Sequence, residues 1–409
     1  MVRVLRGVGL GSGVDRLVRR RRRLLVAVVV IVVMSPVWFS FASMASQPSS
    51  LPLSVRSVEW VRQHHGNWLV DTAEHVYFGY IKTPQKGGPG LTALPAVGLA
   101  SQAPVASPSG RAPGSMPTSP ASPVSPVSLG PTAIASLITP ALPGEGVWRR
   151  TGTDVTGGPP VLVSVFRPEP SYPHLIAYIA WFDHTRTQLG FYPGRYEPPL
   201  AAVRGSAKVP MSQRNRLVAT FNGGFIYSDG LNGSSDNGRT NEPMKDGLAT
   251  LVGYPDGRVD IIIWHGGRDA GPQYAFTRQS LPPILWDNQL NPALNDSRQW
   301  GATLGNAVRV WRTGVGIDKH GNLIYAAADG QTVKSLARLL RHAGAVKAMQ
   351  FDINPEWPSL ITYRHTPTLV AEKVVPNYQQ TPTRYLIPDD RDFFAVYSPL
   401  TTPVTVPFN

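Results

Sequence analysis

Cysteine is missing from all 409 residues of the chain. This absence excludes disulfide bonds, thiolate nucleophiles and cysteine-ligated zinc. Charged residues are also scarce, at 16%, whereas apolar residues make up 42%, which is enough to bury a core. An exported chain without disulfides is more typical of a bacterial envelope than of a eukaryotic secretory route.

The basic charge of the chain is concentrated at its start. Residues 1–23 hold eight arginines and one acidic residue, Asp15, so that +7 of the formal net charge of +13 lies there. The remaining residues carry only a modest surplus, and they contain no aromatic and basic module of the kind that binds nucleic acid. We therefore predict no nucleic-acid partner.

A run of residues without any charge follows, LLVAVVVIVVMSPVWFSFASMA at 24–45. Its length is that of a membrane-spanning helix. The arginines before it predict that residues 1–23 form a basic cytoplasmic tail and that residues 24–45 form a single-pass signal anchor, with the rest of the chain outside the cytoplasm. The alternative is a cleaved signal peptide, because Ser43-Met44-Ala45 resembles a small-residue cleavage site. Both interpretations place the bulk of the protein in the cell envelope.

Two segments separate this anchor from the folded domain. Residues 51–82 have, in part, the apolar spacing of amphipathic helices, which predicts a juxtamembrane helical segment. Residues 83–146 are rich in Pro, Ala, Ser, Gly and Val, and such a composition buries too little apolar surface to fold. We predict a disordered linker that carries the domain away from the membrane.

The remaining residues, 147–399, have the pattern of an α+β domain built mainly on β-sheet with few helices. Short apolar runs alternate with turns rich in Gly and Pro, and Pro255-Asp256-Gly257 joins two runs into a hairpin. A second hairpin turns at residues 319–322. One helix is predicted to begin after Thr332 as its N-cap and to stop at Gly344.

Two segments of this domain carry polar residues where apolar strands begin or end. Asn222 follows a strand and precedes Gly223 and Gly224, which allow close approach of the backbone to a ligand. Arg312 and Thr313 lie at the start of another apolar run. The planar guanidinium of Arg312 suits a phosphate or a carboxylate, although an arginine at a sheet rim can also simply pair with a nearby acid.

A third segment, KAMQFDINPEWPSL at 347–360, places Asp352, Asn354 and Glu356 directly after a buried strand. Two carboxylates at such a position can divide acid and base roles in glycoside cleavage. They can also share a hard divalent cation such as Ca²⁺. The alternative is a purely structural role, in which Asp352 caps the turn that Pro355 enforces and Glu356 faces solvent.

The order of these segments resembles the phosphodiester glycosidase family. The resemblance is carried by ATFNGGF (219–225), WRTGVGIDKHGNLIYAAADG (311–330) and HAGAVKAMQFD (342–352), and it covers about residues 216–362. It implies cleavage of the bond between a sugar anomeric carbon and a phosphate that is also esterified to a second group. A carbohydrate phosphodiester or cell-wall glycan is therefore the expected partner, and the resemblance leaves any metal requirement open.

The resemblance also implies roles for individual residues. Asn222 with Gly223-Gly224 matches the Asn-Gly-Gly element of the family, and Arg312-Thr313 matches its Arg-Thr pair. Asp352 matches the aspartate of its Asp-Gly-Gly-Gly-Ser signature. Here, however, Asp352 is followed by Ile-Asn-Pro-Glu, without the glycines or the serine, and Pro355 has no N–H to donate.

The expected mechanism combines these matches with the two polar residues that follow Asp352, Asn354 and Glu356. Arg312 binds the phosphate, assisted by Thr313, Gly223, Gly224 and Asn354 as substrate-binding residues. Asp352 acts as base toward water or as nucleophile, Asn222 orients a sugar hydroxyl or the water, and Glu356 is the candidate second carboxylate.

Two other function classes stay open at this point. In the first, the chain is a non-catalytic envelope protein whose altered loop binds wall glycan or a protein. In the second, it is a metal-dependent phosphodiesterase that breaks the P–O bond, for which the histidines of the chain lack ligand spacing.

Overall fold

The computed structural model describes residues 11–49, 51–77, 84–95, 97, 130–152, 158–230, 232–295, 300, 308–365, 368–377 and 380–399. Among these, the helices are α1 (Gly11–Ser46), α2 (Leu53–Gln63), α3 (Asn67–Val76), α4 (Tyr227–Gly230) and α5 (Val333–His342). Two 3₁₀ turns lie at Met211–Arg216 and Pro292–Asn295.

The described residues also form eighteen β-strands. The first nine along the chain are β1 (Arg149–Arg150), β2 (Val161–Phe166), β3 (Ala177–Phe182), β4 (Gln188–Tyr192), β5 (Leu217–Asn222), β6 (Ser234–Asp236), β7 (Arg239–Glu242), β8 (Ala249–Gly253) and β9 (Val259–Ile263). They are followed by β10 (Phe276–Gln279), β11 (Leu285–Trp286), β12 (Gln289–Leu290), β13 (Val310–Asp318), β14 (Leu323–Gln331), β15 (Ala345–Gln350), β16 (Leu360–Arg364), β17 (Val370–Lys373) and β18 (Phe393–Tyr397).

These strands form three antiparallel sheets. The first has the order β1-β2-β3-β14-β13-β15-β11-β12, the second β7-β6-β10-β8-β9 and the third β17-β16-β5-β18-β4. The predicted hairpins are present as β8–β9 and β13–β14. The prediction of an α+β domain built mainly on sheet is therefore confirmed.

The three sheets share one apolar core. Phe394 of the third sheet packs within 5.8 Å, between ring centroids, of Phe276 in the second sheet and of Phe351 at the end of β15 in the first. All three rings are buried. Burial of aromatic surface on this scale is a main source of stability in a sheet-rich domain, and here it holds β10, the end of β15 and β18 together.

Helix α5 covers the other face of the first sheet. Thr332 is its N-cap and forms a capping box with Ser335, while Gly344 follows the helix with φ of +104°. Leu336 and Leu340 lie on its buried face against the sheet. The start, apolar face and stop predicted for this helix are confirmed.

Helix α1 contains the uncharged run and is the one described helix that is long and apolar enough to cross a membrane; the stretch that meets this test is Arg20–Ser46. A membrane anchor and a signal sequence both have this length and composition. Helices α2 and α3 occupy the segment that was predicted to be helical next to the membrane.

The segment predicted to be a linker is described only in part. Residues 98–129 lie outside the described residues, whereas residues 130–146 pack against the domain. Ile134 is buried in the core beside α5, and the carboxylate of Glu145 binds Arg167 in a buried ion pair of 2.7 Å. Before the undescribed stretch, Val97 is also buried in the main core, with Leu94 packed against it. The described parts of the predicted linker near residues 94–97 and at 130–146 therefore pack against the domain.

Candidate active site

Thr313 connects two of the predicted site residues. Its Oγ1 accepts hydrogen bonds from Asn222 Nδ2, at 3.1 Å, and from the backbone N–H of Asp352, at 3.0 Å. The hydroxyl itself lies 3.2 Å from the carbonyl oxygen of Asp352, to which it donates. The end of β5, the start of β13 and the segment after β15 are thus held together by one buried hydroxyl.

The side chain of Asn222 is fully engaged with the protein. Besides Thr313, its Nδ2 donates to the carbonyl of Gly223, while its Oδ1 accepts from Tyr325 Oη at 2.7 Å and from the backbone N–H of Ser359 at 3.1 Å. A buried amide with all of its hydrogen bonds made to protein rigidifies its surroundings. In this structure Asn222 positions the neighbouring backbone.

Gly223 and Gly224 allow two charged side chains to approach the backbone. A Cβ on Gly223 would lie 2.5 Å from Asp392 Oδ2, and a Cβ on Gly224 would lie 3.4 Å from the guanidinium of Arg278. The backbone N–H of Gly223 also donates to the carbonyl of Asp392, at 3.1 Å. The glycine pair thus makes room for protein side chains.

Arg278 and Asp392 form a buried ion pair at this point. Arg278 Nε lies 2.6 Å from Asp392 Oδ2, and both side chains are almost fully buried. The guanidinium also donates to the carbonyls of Phe225 and Gln279 and stacks 4.1 Å above the ring of Tyr227. Burial alone lowers the pKa of Arg278, but Asp392 outweighs it and holds the pKa above its usual range.

Asp352 binds Arg391, which precedes Asp392 in the sequence. Its Oδ1 accepts the backbone N–H of Asn354, at 2.9 Å, and its Oδ2 accepts from Arg391 Nη2, at 3.2 Å. Burial raises the pKa of Asp352 to about 6, against the opposing effect of Arg391 and with a smaller upward contribution from Glu59. A carboxyl with such a pKa can gain and lose a proton near neutral pH.

Arg391 was not predicted from the sequence. It lies in the segment Pro388-Asp389-Asp390-Arg391-Asp392, just before β18, and its guanidinium stacks 4.4 Å above the ring of Trp357. Burial alone lowers the pKa of Arg391, but the carboxylates of Asp352, Glu197 and Glu59 outweigh it and raise the pKa. The only sequence signal was the density of charge in this segment directly before an apolar strand.

Glu197 is a second carboxylate in this region that the sequence did not indicate. Its Oε2 accepts the backbone N–H of Tyr227 at 3.2 Å, and its nearest charged neighbours include Arg391, Asp392 and Arg278. Burial raises the pKa of Glu197 above its usual range, because Arg391 and the N–H of Tyr227 compensate only in part. Asp352 and Glu197 are thus two carboxyl groups with raised pKa values that both interact with the charge of Arg391.

The structure does not bring Arg312 to this cluster. Its side chain lies on the α5 face of the first sheet, the face on which a Cβ at Gly314, two residues later, would meet Leu336 and Leu340. There it donates to Gln331 O, Gln350 Oε1 and Val308 O. Thr313, next in sequence, points to the opposite face. Burial lowers the pKa of Arg312 to about 9.

The predicted residues Asn354 and Glu356 form the turn that follows Asp352. Asn354 Oδ1 accepts the backbone N–H of Glu356, at 3.0 Å, and the carbonyl of Glu356 accepts from Asn377 Nδ2, at 3.1 Å. Asn354 contributes its backbone N–H to Asp352. These contacts explain the rigidity of the segment without any glycine.

Helix α2 and the residues before it lie against the same region. Leu51 and Val55 pack on Trp357, and Arg195 Nη1 donates to the carbonyl of Pro48, at 2.7 Å. The carboxylate of Glu59 on α2 is near enough to Asp352 and Arg391 to shift the pKa of both. Helix α2 thus contributes one negative charge to the candidate site.

The sequence did not decide whether the protein binds a metal ion. Within the ranges of the chain that the structure describes, no three His, Cys, Asp or Glu side chains are grouped so that they could hold a metal ion. The carboxylates of Asp352 and Asp392 are bonded to arginines.

Part of the chain that forms this site matches a known protein family. Residues 201–352 match the model of the phosphodiester glycosidase family. The resemblance seen in the sequence is confirmed over this range. The matched range ends at Asp352, so Glu197, Arg391 and Asp392 lie outside it. No curated protein sequence matches the chain.

Solved structures with a related arrangement include the catalytic domain of zebrafish N-acetylglucosamine-1-phosphodiester alpha-N-acetylglucosaminidase, auto-inhibited by its pro-peptide. It is 16% identical, with a TM-score of 0.41 over 61% of this chain and 87% of that one. A hypothetical protein from Synechocystis is 11% identical, with a TM-score of 0.31 over 62% of each chain.

Proposed function

We propose that the phosphodiester glycosidase-like domain hydrolyses a sugar-1-phosphodiester on the outer side of the cell membrane, where α1 anchors it. The substrate is a carbohydrate phosphodiester of the cell envelope. The observation that carries the proposal is the buried carboxylate of Asp352, at the last position of the family match, with a pKa raised to about 6.

In this mechanism Asp352 is the general base. It removes a proton from a water molecule, whose oxygen bonds to the anomeric carbon while the bond from that carbon to the phosphate oxygen breaks. The electron pair of the broken bond leaves with the phosphate, which departs as a phosphomonoester. Because a phosphate ester is already a good leaving group, the reaction depends less on a strong general acid than ordinary glycoside cleavage does.

The local structure supports this role for Asp352. Thr313 binds both its backbone N–H and its carbonyl, and the N–H of Asn354 orients Oδ1. A general base whose backbone is hydrogen-bonded in this way keeps its position when its carboxyl group gains or loses a proton. A pKa near the working pH is the condition under which general-base catalysis is most effective.

The test is hydrolysis of a panel of sugar-1-phosphodiesters, including N-acetylglucosamine 1-(methyl phosphate), by the full-length protein in detergent. We expect free sugar and phosphomonoester as products. The variant Asp352→Asn is expected to lower kcat at least ~100-fold, whereas Asp256→Asn, in the exposed turn between β8 and β9, serves as the carboxylate control.

Two outcomes would contradict the proposal. Release of sugar 1-phosphate would mean that the P–O bond breaks, which is the phosphodiesterase reaction. Binding of wall glycan without turnover of any member of the panel would favour the non-catalytic envelope protein instead.

A further inference from the structure

Five arginines of the described domain have buried side chains, and they differ in how many hydrogen bonds they make. Four of them each donate at least three side-chain hydrogen bonds to protein oxygens: Arg167, Arg278, Arg312 and Arg384. Arg391 donates one, from Nη2 to Asp352, among the residues that the structure describes. Since a guanidinium has five N–H donors, Arg391 keeps most of its capacity available.

The orientation of Arg391 is fixed even though few of its donors are used. Its guanidinium lies on the indole face of Trp357, which in turn packs against Leu51 and Val55 of the α2 region. Its backbone N–H donates to Asp389 Oδ1, at 3.0 Å. A guanidinium that is already held in one orientation loses little conformational entropy when it binds a phosphate.

The carboxylates near Arg391 either have other partners or accept only one of its N–H groups. Asp392 is committed to Arg278 through the 2.6 Å contact of the buried ion pair. Asp352 takes one donor of Arg391, and Glu197 is bonded to the backbone of Tyr227. The remaining guanidinium edge is the available cationic donor group beside Asp352.

We propose that Arg391 binds the phosphate of the substrate and places the anomeric carbon next to Asp352, the role that sequence matching gave to Arg312. This inference rests on the proposed function. Arg312 is unsuited to the role because its donors are bonded on the α5 face of the sheet, behind Thr313.

The charge of Glu59 is expected to act on an anion that binds at Arg391. Helix α2 carries this carboxylate close to Arg391 and Asp352, on a part of the chain separate from the domain. An anionic ligand at Arg391 must therefore compete with the charge of Glu59. Removal of that charge strengthens phosphate binding if Arg391 is the anchor.

The experiment measures binding of inorganic phosphate, by titration calorimetry, to the full-length protein in detergent. We expect Arg391→Lys to raise the Kd at least ~10-fold, since hydrogen bonds to charged groups are lost. The matched buried variant Arg312→Lys is expected to change it less than ~2-fold, and Glu59→Gln to lower it about 3-fold through loss of a nearby like charge. Thermal unfolding checks that each variant is folded.

An unchanged Kd in folded Arg391→Lys, or a loss confined to Arg312→Lys, overturns the inference. If Arg391→Lys does not fold, Glu59→Gln decides the question, and an unchanged or higher Kd there overturns it. Hydrolysis of the sugar-1-phosphodiester panel is measured in parallel. If Arg391→Lys hydrolyses the panel as fast as wild type, only this inference is contradicted. If phosphate binding depends on Arg391 but no member of the panel is hydrolysed, only the proposed function is contradicted.

Discussion

Arg278 and Asp392 are 114 residues apart in sequence, and their side chains form an ion pair of 2.6 Å with almost no exposure to solvent. Breaking such a pair leaves an uncompensated buried charge, whereas replacing both partners with apolar residues does not. We expect Asp392→Leu to lower the free energy of unfolding by about 3–5 kcal/mol. The double variant Arg278→Met/Asp392→Leu is expected to recover a large part of that loss, measured by denaturant unfolding. A double variant no more stable than Asp392→Leu would mean that the pair has another structural role.

The second prediction concerns Gly223, whose backbone lies against the same carboxylate. A Cβ at this position meets Asp392 Oδ2 at 2.5 Å and the backbone carbonyl of Asp392 at 2.7 Å, so Gly223→Ala is expected to destabilise the fold by about 1–3 kcal/mol. Gly90→Ala is the matched control, because its new Cβ has only a carbon of Pro173 within 4 Å, at 3.8 Å. Equal unfolding free energies for the two variants would contradict the packing argument.

Parts of the fold that depend on local signals could be predicted from the sequence. Helix α5 is an example, because its cap at Thr332, its apolar face and its stop at Gly344 lie within 13 residues. The hairpins β8–β9 and β13–β14 were predicted for the same reason: their turn residues are adjacent to the strands they join.

The candidate site was predicted in part. Asn222, Thr313 and Asp352 do converge, through the hydroxyl of Thr313. Arg391 and Glu197 were missed because their partners are far away in sequence, and no motif marks such contacts. The orientation of Arg312 depends on the register of β13, and a shift of one residue in a strand exchanges its two faces.

The third prediction is a pH dependence of stability that comes from Asp352. Its pKa is raised from 3.8 to about 6 in the fold, so between these values the native state retains a proton that the unfolded chain has lost. Stability from this group is therefore present below about pH 4 and is lost as the pH rises through 6. The loss is on the order of 3 kcal/mol, which corresponds to a shift of about two pKa units.

The measurement compares wild type with Asp352→Asn, which cannot ionise. The free energy of unfolding of wild type, relative to the variant, is expected to fall between pH 4 and pH 7.5. Other groups with raised pKa values, Glu197 and Asp390, are common to both proteins and cancel in the difference. A difference that is constant with pH would show that Asp352 is not protonated in the fold near pH 5.

The fourth prediction is the pH dependence of the proposed hydrolysis. Because a general base must be ionised, kcat/KM is expected to fall about tenfold per pH unit below about 6, the pKa of Asp352. Burial raises this pKa most, Arg391 and the N–H of Asn354 lower it, and Glu59 on α2 raises it by a smaller amount. Glu59→Gln should therefore move the midpoint of the pH profile to lower pH, whereas Asp256→Asn should leave it in place. A midpoint that moves upward or stays fixed in Glu59→Gln would mean that α2 does not hold its carboxylate beside Asp352 during turnover.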